Sequence, residues 1–212
     1  MGKLTARAFS ALFVVLLVGS AAAQQRQTPA DEGFTADERS HLDQGRLVQR
    51  PTSQRRGQLR LIGGSAWRVV DQPADVTWRA LLDDGAYADM LPATEDASVV
   101  SHRPGERVMR IRHAVGFVRV SYHLRFTYDH DRHDIAFRLD RQRHNDLRAA
   151  WGFIRVQPFE GSASRSLVSY GVMADPGGGV LSGVLRPRIH DSLLRVPSTI
   201  RRYLHGAGAH RY

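Results

Sequence analysis

Apolar and polar side chains alternate along most of the second half of the chain. In the segment 117–128 the even positions, from Val118 to Tyr128, are apolar or aromatic, and most odd positions are polar. Such alternation predicts an antiparallel strand with one covered face and one face in water. Further strands are predicted at 59–70, 97–101, 106–115, 135–140, 147–159 and 165–174. The first of these is expected to bend at Gly63 and Gly64.

Helical spacing replaces the alternation in three places. A short helix is predicted to follow Pro73 and to end near Gly85, and a second one runs from Tyr87 to Leu91. Near the C-terminus an apolar stripe predicts a long helix, with Pro197 as a kink or a restart point. The stripe consists of Leu185, Ile189, Leu193, Val196, Ile200 and Leu204. We therefore predict an α+β fold, in which a curved seven-stranded antiparallel sheet surrounds this helix.

The first residues have the pattern of a secretory signal peptide. Lys3 and Arg7 precede an apolar run over 8–18, and three alanines end at Ala23. We expect cleavage near Ala23 and export to the periplasm or the medium, with an uncleaved N-terminal anchor as the alternative. The run is too short to span a bilayer as a helix of about 20 residues.

The remaining chain divides into three predicted parts. Residues 24–57 are expected to be a linker and a short extension, with one helical turn at 35–42 and a loop at 50–57. Thr35 and Glu38 have the spacing of a capping box at the start of that turn. A folded domain is expected at 58–206, and a tail at 207–212.

Composition narrows the possible chemistry. The chain has no cysteine, which excludes thiol catalysis, cysteine-bound zinc and disulfides. Its net charge is +9, almost all of it from arginine. For an exported protein this favours anionic lipid head groups over nucleic acid as a partner. The candidate docking residues lie on the outer sheet face, which arginines occupy in any solvated sheet: Arg110, Arg112, Arg119, Arg125 and Arg138.

Two histidines and three aspartates crowd the segment 129–134, with a spacing that suggests metal ligands. The segment lies between two predicted strands, so it is expected to be a solvated hairpin tip, where Asp residues bond nearby backbone. Weak metal binding is the alternative, but a tip lacks the second shell that holds ligands in place. No phosphate loop, zinc helix or nucleophile elbow occurs. We predict no metal and no cofactor.

The order of the predicted elements resembles that of a known superfamily. The residues that carry the likeness are Pro73, Trp78, Leu82, Tyr87, Leu91–Pro92, the segment 152–158 (GFIRVQP), Tyr170 and the segment 175–179 (DPGGG). Over 59–206 they resemble START-like (SRPBCC) proteins of the polyketide cyclase/dehydrase and lipid-transport superfamily, including its coenzyme Q-binding branch. The resemblance implies a helix-grip fold with a cavity for an apolar ligand. It carries over no catalytic residue, because the superfamily has no universal catalytic motif.

The strand faces and the helical stripe together suggest which residues line such a cavity: His113, Tyr122, Leu124, Phe126, Phe137, Tyr170, Ile189 and Leu193. His113 interrupts an apolar set, as a polar contact for the ligand, an acid/base or a satisfied core histidine. Tyr122, Tyr128 and Tyr170 are expected to point inward. The inner face of 147–159 stays open because Gly152 is typical of a bulge, although the family pattern favours Ile154 and Val156.

These observations leave three hypotheses for function. The first is an exported protein that binds a lipid, an isoprenoid quinone or a polyketide-like molecule. The second is a cyclase or dehydratase with a cavity histidine or tyrosine as acid/base. The third is a protein that docks on anionic membranes through its arginine face.

Overall fold

Antiparallel strands dominate the computed structural model, which describes residues 33–115, 118–177 and 186–212. The described residues contain eight strands: β1 (Val48–Arg56), β2 (Leu59–Val70), β3 (Thr94–Arg103), β4 (Glu106–Val115), β5 (Val118–Asp129), β6 (Asp134–Leu139), β7 (Ala149–Pro158) and β8 (Ser166–Asp175). They form one sheet in the order β1-β2-β8-β7-β6-β5-β4-β3. Every neighbouring pair is antiparallel, as the alternation predicts.

Five α-helices accompany the sheet in the described residues: α1 (Ala36–Asp43), α2 (Ala74–Leu82), α3 (Tyr87–Met90), α4 (Arg186–Leu193) and α5 (Val196–His205). The predicted capping box is present, because Thr35 and Glu38 bond each other's backbone N–H groups at the start of α1. The two short helices α2 and α3 follow the strand β2, which confirms that part of the prediction. No helix in the described ranges is long and apolar enough to cross a membrane.

The eighth strand corrects the sequence prediction. Strand β1 pairs along its whole length with β2, although the sequence predicts a loop at 50–57. After Val48 its residues are partly or fully exposed and almost all polar, so no alternation marks them. Pro51 also argues against a strand, but β1 lies at the sheet edge, where a missing N–H is tolerated.

The C-terminal helix is divided in two, which corrects the prediction of one long helix. The helix α4 ends at Leu193 and α5 begins at Val196, with Pro197 in its first turn. Proline suits a first turn because its missing N–H has no helical partner there. Pro197 is therefore the restart point, while Leu185 of the predicted stripe lies outside the described residues.

The main core lies on one side of the sheet, here called the inner face. Side chains of α5, including Ile200 and Leu204, are buried there together with inward side chains of the strands. A smaller cluster covers part of the other face around Trp67 and Leu42, so α1 packs against β2 from outside. The inner face, with the C-terminal helices beside it, positions the site described next.

Candidate functional site

A cavity of about 130 Å³ lies on the inner face, bordered by strands β4 to β8, the α3–β3 junction and α4. All eight residues suggested by the sequence line it: His113, Tyr122, Leu124, Phe126, Phe137, Tyr170, Ile189 and Leu193. Their placement in one cavity is observed, and their role in binding a ligand stays a prediction.

Twelve further residues line the cavity that are not among the eight candidates suggested by the sequence: Tyr87, Leu91, Pro92, Ala93, Ile111, Val120, Leu147, Ile154, Ala174, Pro176, Ser192 and Val196. Ile111 and Val120 share a strand face with predicted residues, so the alternation already contained the signal for them, whereas for Ile154 the signal was the family pattern. The segment 91–93 and Leu147 belong to connections without periodicity, and no pattern points to them. Several residues at the α3–β3 junction and on α4 are partly exposed and form the rim of the cavity.

The lining is free of charge. Among the described residues around the cavity there is no Asp, Glu, Lys or Arg. In the described part of the lining, polar side-chain atoms come only from three tyrosines, His113 and Ser192. The hydroxyl of Tyr87 is already bonded to the carbonyl oxygen of Leu81. An ion without a partner is costly in such a low-dielectric space, so the cavity suits an uncharged molecule.

Aromatic rings form one wall of the cavity. The ring centroids of Phe126 and Phe137 are 5.9 Å apart, and those of Phe137 and Tyr170 are 6.0 Å apart with nearly parallel planes. The three rings lie at inward positions of the strands β5, β6 and β8. Inward positions recur at every second residue of a strand. Such rings offer flat apolar contact to a bound molecule.

Gly152 makes room for this wall. It pairs with Phe137 on one side and with Val172 on the other without a register shift, so the predicted bulge is absent. A Cβ at this position would overlap the Phe137 ring and the carbonyl oxygen of Gly171. Ile154 lines the cavity and Val156 is in the same core, so the inner face of β7 is the one that the family pattern favours.

His113 is held by contacts on both ring nitrogens. Its Nδ1 lies 3.0 Å from the carbonyl oxygen of Pro92 and 3.1 Å from the Thr94 hydroxyl. Its Nε2 lies 2.6 Å from the hydroxyl oxygen of Tyr122. Burial lowers the pKa of His113 below its ordinary value, although the carbonyl contacts oppose the effect. The imidazole is therefore neutral at neutral pH.

Burial also keeps the cavity phenols protonated. It raises the pKa of Tyr122 and of Tyr170 well above the usual tyrosine range. Neither side chain can supply a phenolate base near neutral pH. Both act as neutral hydrogen-bonding groups.

Tyr128, expected to point inward, packs in the core but does not line the cavity. The Arg107 guanidinium lies over its ring at 4.9 Å. Burial raises the pKa of Tyr128 to about 12.

The histidines of the hairpin tip have a structural contact. The tip connects β5 and β6, as predicted. The ring of His133 stacks on Trp78 of α2 at 5.1 Å, and His130 meets the same indole edge-on at 5.7 Å. A group of three or more metal-ligating side chains is not found in the described part of the chain. The tip thus packs on α2, in addition to meeting solvent.

Four of the five outer-face arginines have carboxylate partners. Arg110 and Arg112 approach Asp96 at 3.3 and 3.5 Å, and Arg119 lies 3.4 Å from Glu95. Arg125 contacts both Glu106 and the buried Asp140. Much of the positive charge on this face is therefore balanced locally.

An antiparallel sheet that encloses an apolar cavity with C-terminal helices defines the α+β, helix-grip class of proteins. The chain belongs to the polyketide cyclase/dehydrase and lipid transport family, whose model matches residues 70–195. The resemblance to START-like proteins is thus confirmed, without support for the coenzyme Q-binding branch in particular. No sequence among curated proteins matches the chain.

Solved structures share the fold at low sequence identity. A protein from Thermus thermophilus is 14% identical, with a TM-score of 0.58 over 68% of this chain and 97% of that one. The Zhui aromatase/cyclase from Streptomyces sp. R1128 is 22% identical, with a TM-score of 0.54 over 70% and 98%. A STAR-related lipid transfer protein fragment from Xanthomonas axonopodis is 15% identical, with a TM-score of 0.55 over 73% and 98%.

Proposed function

We propose that the protein binds an uncharged hydrophobic small molecule in the cavity of the inner face. The observation that carries this proposal is the charge-free, aromatic lining with only a few polar atoms, which is the usual form of a ligand site. Removal of apolar surface from water would drive binding, at about 25 cal/mol per Å². The family and the fold, with a lipid transfer protein among the solved neighbours, support the same function.

The volume limits how much of a ligand is enclosed. An apolar cavity of about 150 Å³ holds a molecule of the size of benzene. The present cavity, at about 130 Å³, therefore encloses about one ring or a short chain. A lipid, an isoprenoid quinone or a polyketide-like molecule would insert one end and extend past the partly exposed rim, which includes Leu91 and Ile189.

Filling the cavity tests this proposal. We expect Leu193→Trp, on the wall formed by α4, to weaken binding of an apolar fluorescent probe at least tenfold. The matched control is Val100→Trp, which places the same side chain at an exposed position of β3 and should leave binding unchanged. Equal probe affinity in both variants and the parent chain would place the binding site elsewhere.

The natural ligand is to be identified by native mass spectrometry and lipid extraction of the chain purified from its host. A quinone in the extract would support the coenzyme Q-binding branch. An extract without any apolar molecule, together with no probe binding, would contradict the proposed function.

We further propose that the protein acts outside the cytoplasm. The support is the charged start, apolar run and alanine triplet of residues 1–23. The intact mass of the protein from its host should correspond to a chain that begins after Ala23. A mass that includes the first 23 residues would favour the uncleaved anchor instead.

A cyclase or dehydratase activity is the second candidate. The observation in its favour is the contact between His113 and Tyr122 within the cavity, and an aromatase/cyclase is among the solved neighbours. If His113 is the acid/base, His113→Gln should abolish turnover of a polyketide-like substrate and leave its affinity nearly unchanged. Full turnover by the variant would exclude His113 as the acid/base.

A further inference from the structure

The hydrogen bonds of His113, which lines the cavity, have a fixed direction. The carbonyl oxygen of Pro92 can only accept, and it lies 3.0 Å from Nδ1 of His113. Nδ1 must therefore carry the proton, since the other tautomer would set a nitrogen lone pair against that oxygen. The Thr94 hydroxyl, 3.1 Å from the same nitrogen, can turn its own proton elsewhere.

The tautomer of His113 in turn fixes the direction of its hydrogen bond with Tyr122. With the proton on Nδ1, Nε2 of a neutral His113 has only a lone pair. The hydroxyl of Tyr122, 2.6 Å away, must donate its proton to that lone pair. Inside the cavity Tyr122 then offers acceptor lone pairs and no donor.

Tyr170 supplies the complementary group. It lines the same cavity, and its hydroxyl has no hydrogen-bond partner among the described residues. Burial at this site raises the pKa of the phenol, and the nearby Tyr122 adds to that effect. Tyr170 is thus a neutral donor available to a ligand, in the same cavity that Tyr122 lines as an acceptor.

From this geometry we propose that the cavity selects ligands whose enclosed end carries a hydroxyl group, as a phenol or an alcohol does. The ligand hydroxyl donates to the Tyr122 oxygen and accepts from Tyr170, so both polar groups are satisfied at once. A carbonyl or ether of equal size accepts from Tyr170 but leaves the Tyr122 oxygen without a donor. The inference rests on the proposed function, because it names the ligand class of the same cavity.

Benzene, phenol and benzaldehyde form a probe set that fits the enclosed volume. Benzene has no hydrogen-bonding group, phenol both donates and accepts, and benzaldehyde only accepts. A net hydrogen bond contributes about 1 kcal/mol, which is a factor of about five in affinity. Phenol makes two such bonds, so we expect it to bind about thirtyfold more tightly than benzene, and benzaldehyde, with one, about fivefold. The affinities are to be measured by NMR titration of the mature chain.

The variant Tyr170→Phe isolates the contribution of Tyr122. Without the Tyr170 donor, benzaldehyde should bind no better than benzene, whereas phenol should keep a preference of about fivefold over benzene through Tyr122. This conservative change keeps the ring and its packing. Equal affinity of phenol and benzaldehyde in this variant would overturn the inference.

The variant His113→Leu removes the acceptor of the Tyr122 proton. Loss of the Nε2 acceptor releases the Tyr122 proton, so benzaldehyde should gain severalfold relative to phenol. An unchanged ratio in a folded variant would contradict the role given to His113. If benzene binds and phenol binds no better, only this inference fails, whereas a chain that binds none of the three probes contradicts the proposed function as well.

Discussion

At the scale of single residues, the shape of the cavity depends on the absence of a side chain at Gly152. Gly152 lacks a Cβ, and the ring of Phe137 occupies the space that it would fill. The sequence alone predicts a bulge at this glycine, because pattern cannot show which ring crosses above it. The pairing of β7 shows instead a regular ladder with an aromatic ring packed over glycine.

A histidine that is buried without charge makes stability depend on pH. Burial lowers the pKa of His113 in the folded chain below the ordinary value of 6.5. Between these two values the unfolded chain binds more protons, so the free energy of unfolding must fall as the pH falls through this window. Above pH 6.5 His113 is mainly neutral in both the folded and the unfolded chain, so its protonation takes no stability from the fold.

Urea unfolding at about pH 7.5, 6.5 and 5.5 measures this dependence. The variant His113→Gln cannot take up the proton and should lose less stability between the upper and the lower pH. All other ionisable groups are the same in both proteins, so the difference between the two pH profiles isolates His113. Parallel pH profiles would mean that His113 is no harder to protonate in the folded chain.

At the scale of elements, the strength of a periodic pattern decided what the sequence could predict. Seven strands and the two short helices follow from apolar side chains at regular spacing, as do the eight predicted lining residues. Strand β1 has no such pattern, since an exposed edge strand needs backbone pairing and no apolar face. The rim at 91–93 has no pattern either, because the path of a connection is set by the elements that it joins.

The two C-terminal helices are expected to respond differently to truncation of one isoleucine in each. Ile200 of α5 is 1% exposed, so Ile200→Ala should lower the free energy of unfolding by about 2–5 kcal/mol. Ile189 of α4 is partly exposed and lines the cavity, so Ile189→Ala should cost much less stability and weaken probe binding instead. Urea unfolding and probe titration of both variants check this. A larger loss of stability from Ile189→Ala would contradict the division of roles.

At the scale of the whole molecule, net charge is a poor guide to where the charge can act. The chain carries +9, yet most arginines of the predicted docking face lie beside Asp or Glu. Composition shows the excess of arginine, whereas the pairing depends on strand register, which composition does not contain. Binding to anionic membranes through this face therefore stays a prediction, with less free charge than the sequence suggested.

Sedimentation with vesicles of phosphatidylglycerol tests how much charge is free. We expect weak binding by a chain without residues 1–23, and this binding should disappear as salt rises, because exposed charges are screened. The double variant Glu95→Gln, Asp96→Asn removes the partners of Arg110, Arg112 and Arg119, and should bind more strongly at low salt. Strong binding by the parent chain, unchanged in this variant, would mean that another surface meets the membrane.

The break between Leu193 and Val196 has an evolutionary consequence. In a single rigid helix, a substitution near the cavity would also disturb the packing of the rest of the core. With two segments, substitutions at Ile189, Ser192 or Leu193 of α4 can change the cavity lining while the buried side chains of Ile200 and Leu204 keep the packing of α5 unchanged. Descendants of one ancestor can thus diverge in the shape and polarity of this cavity and still fold alike.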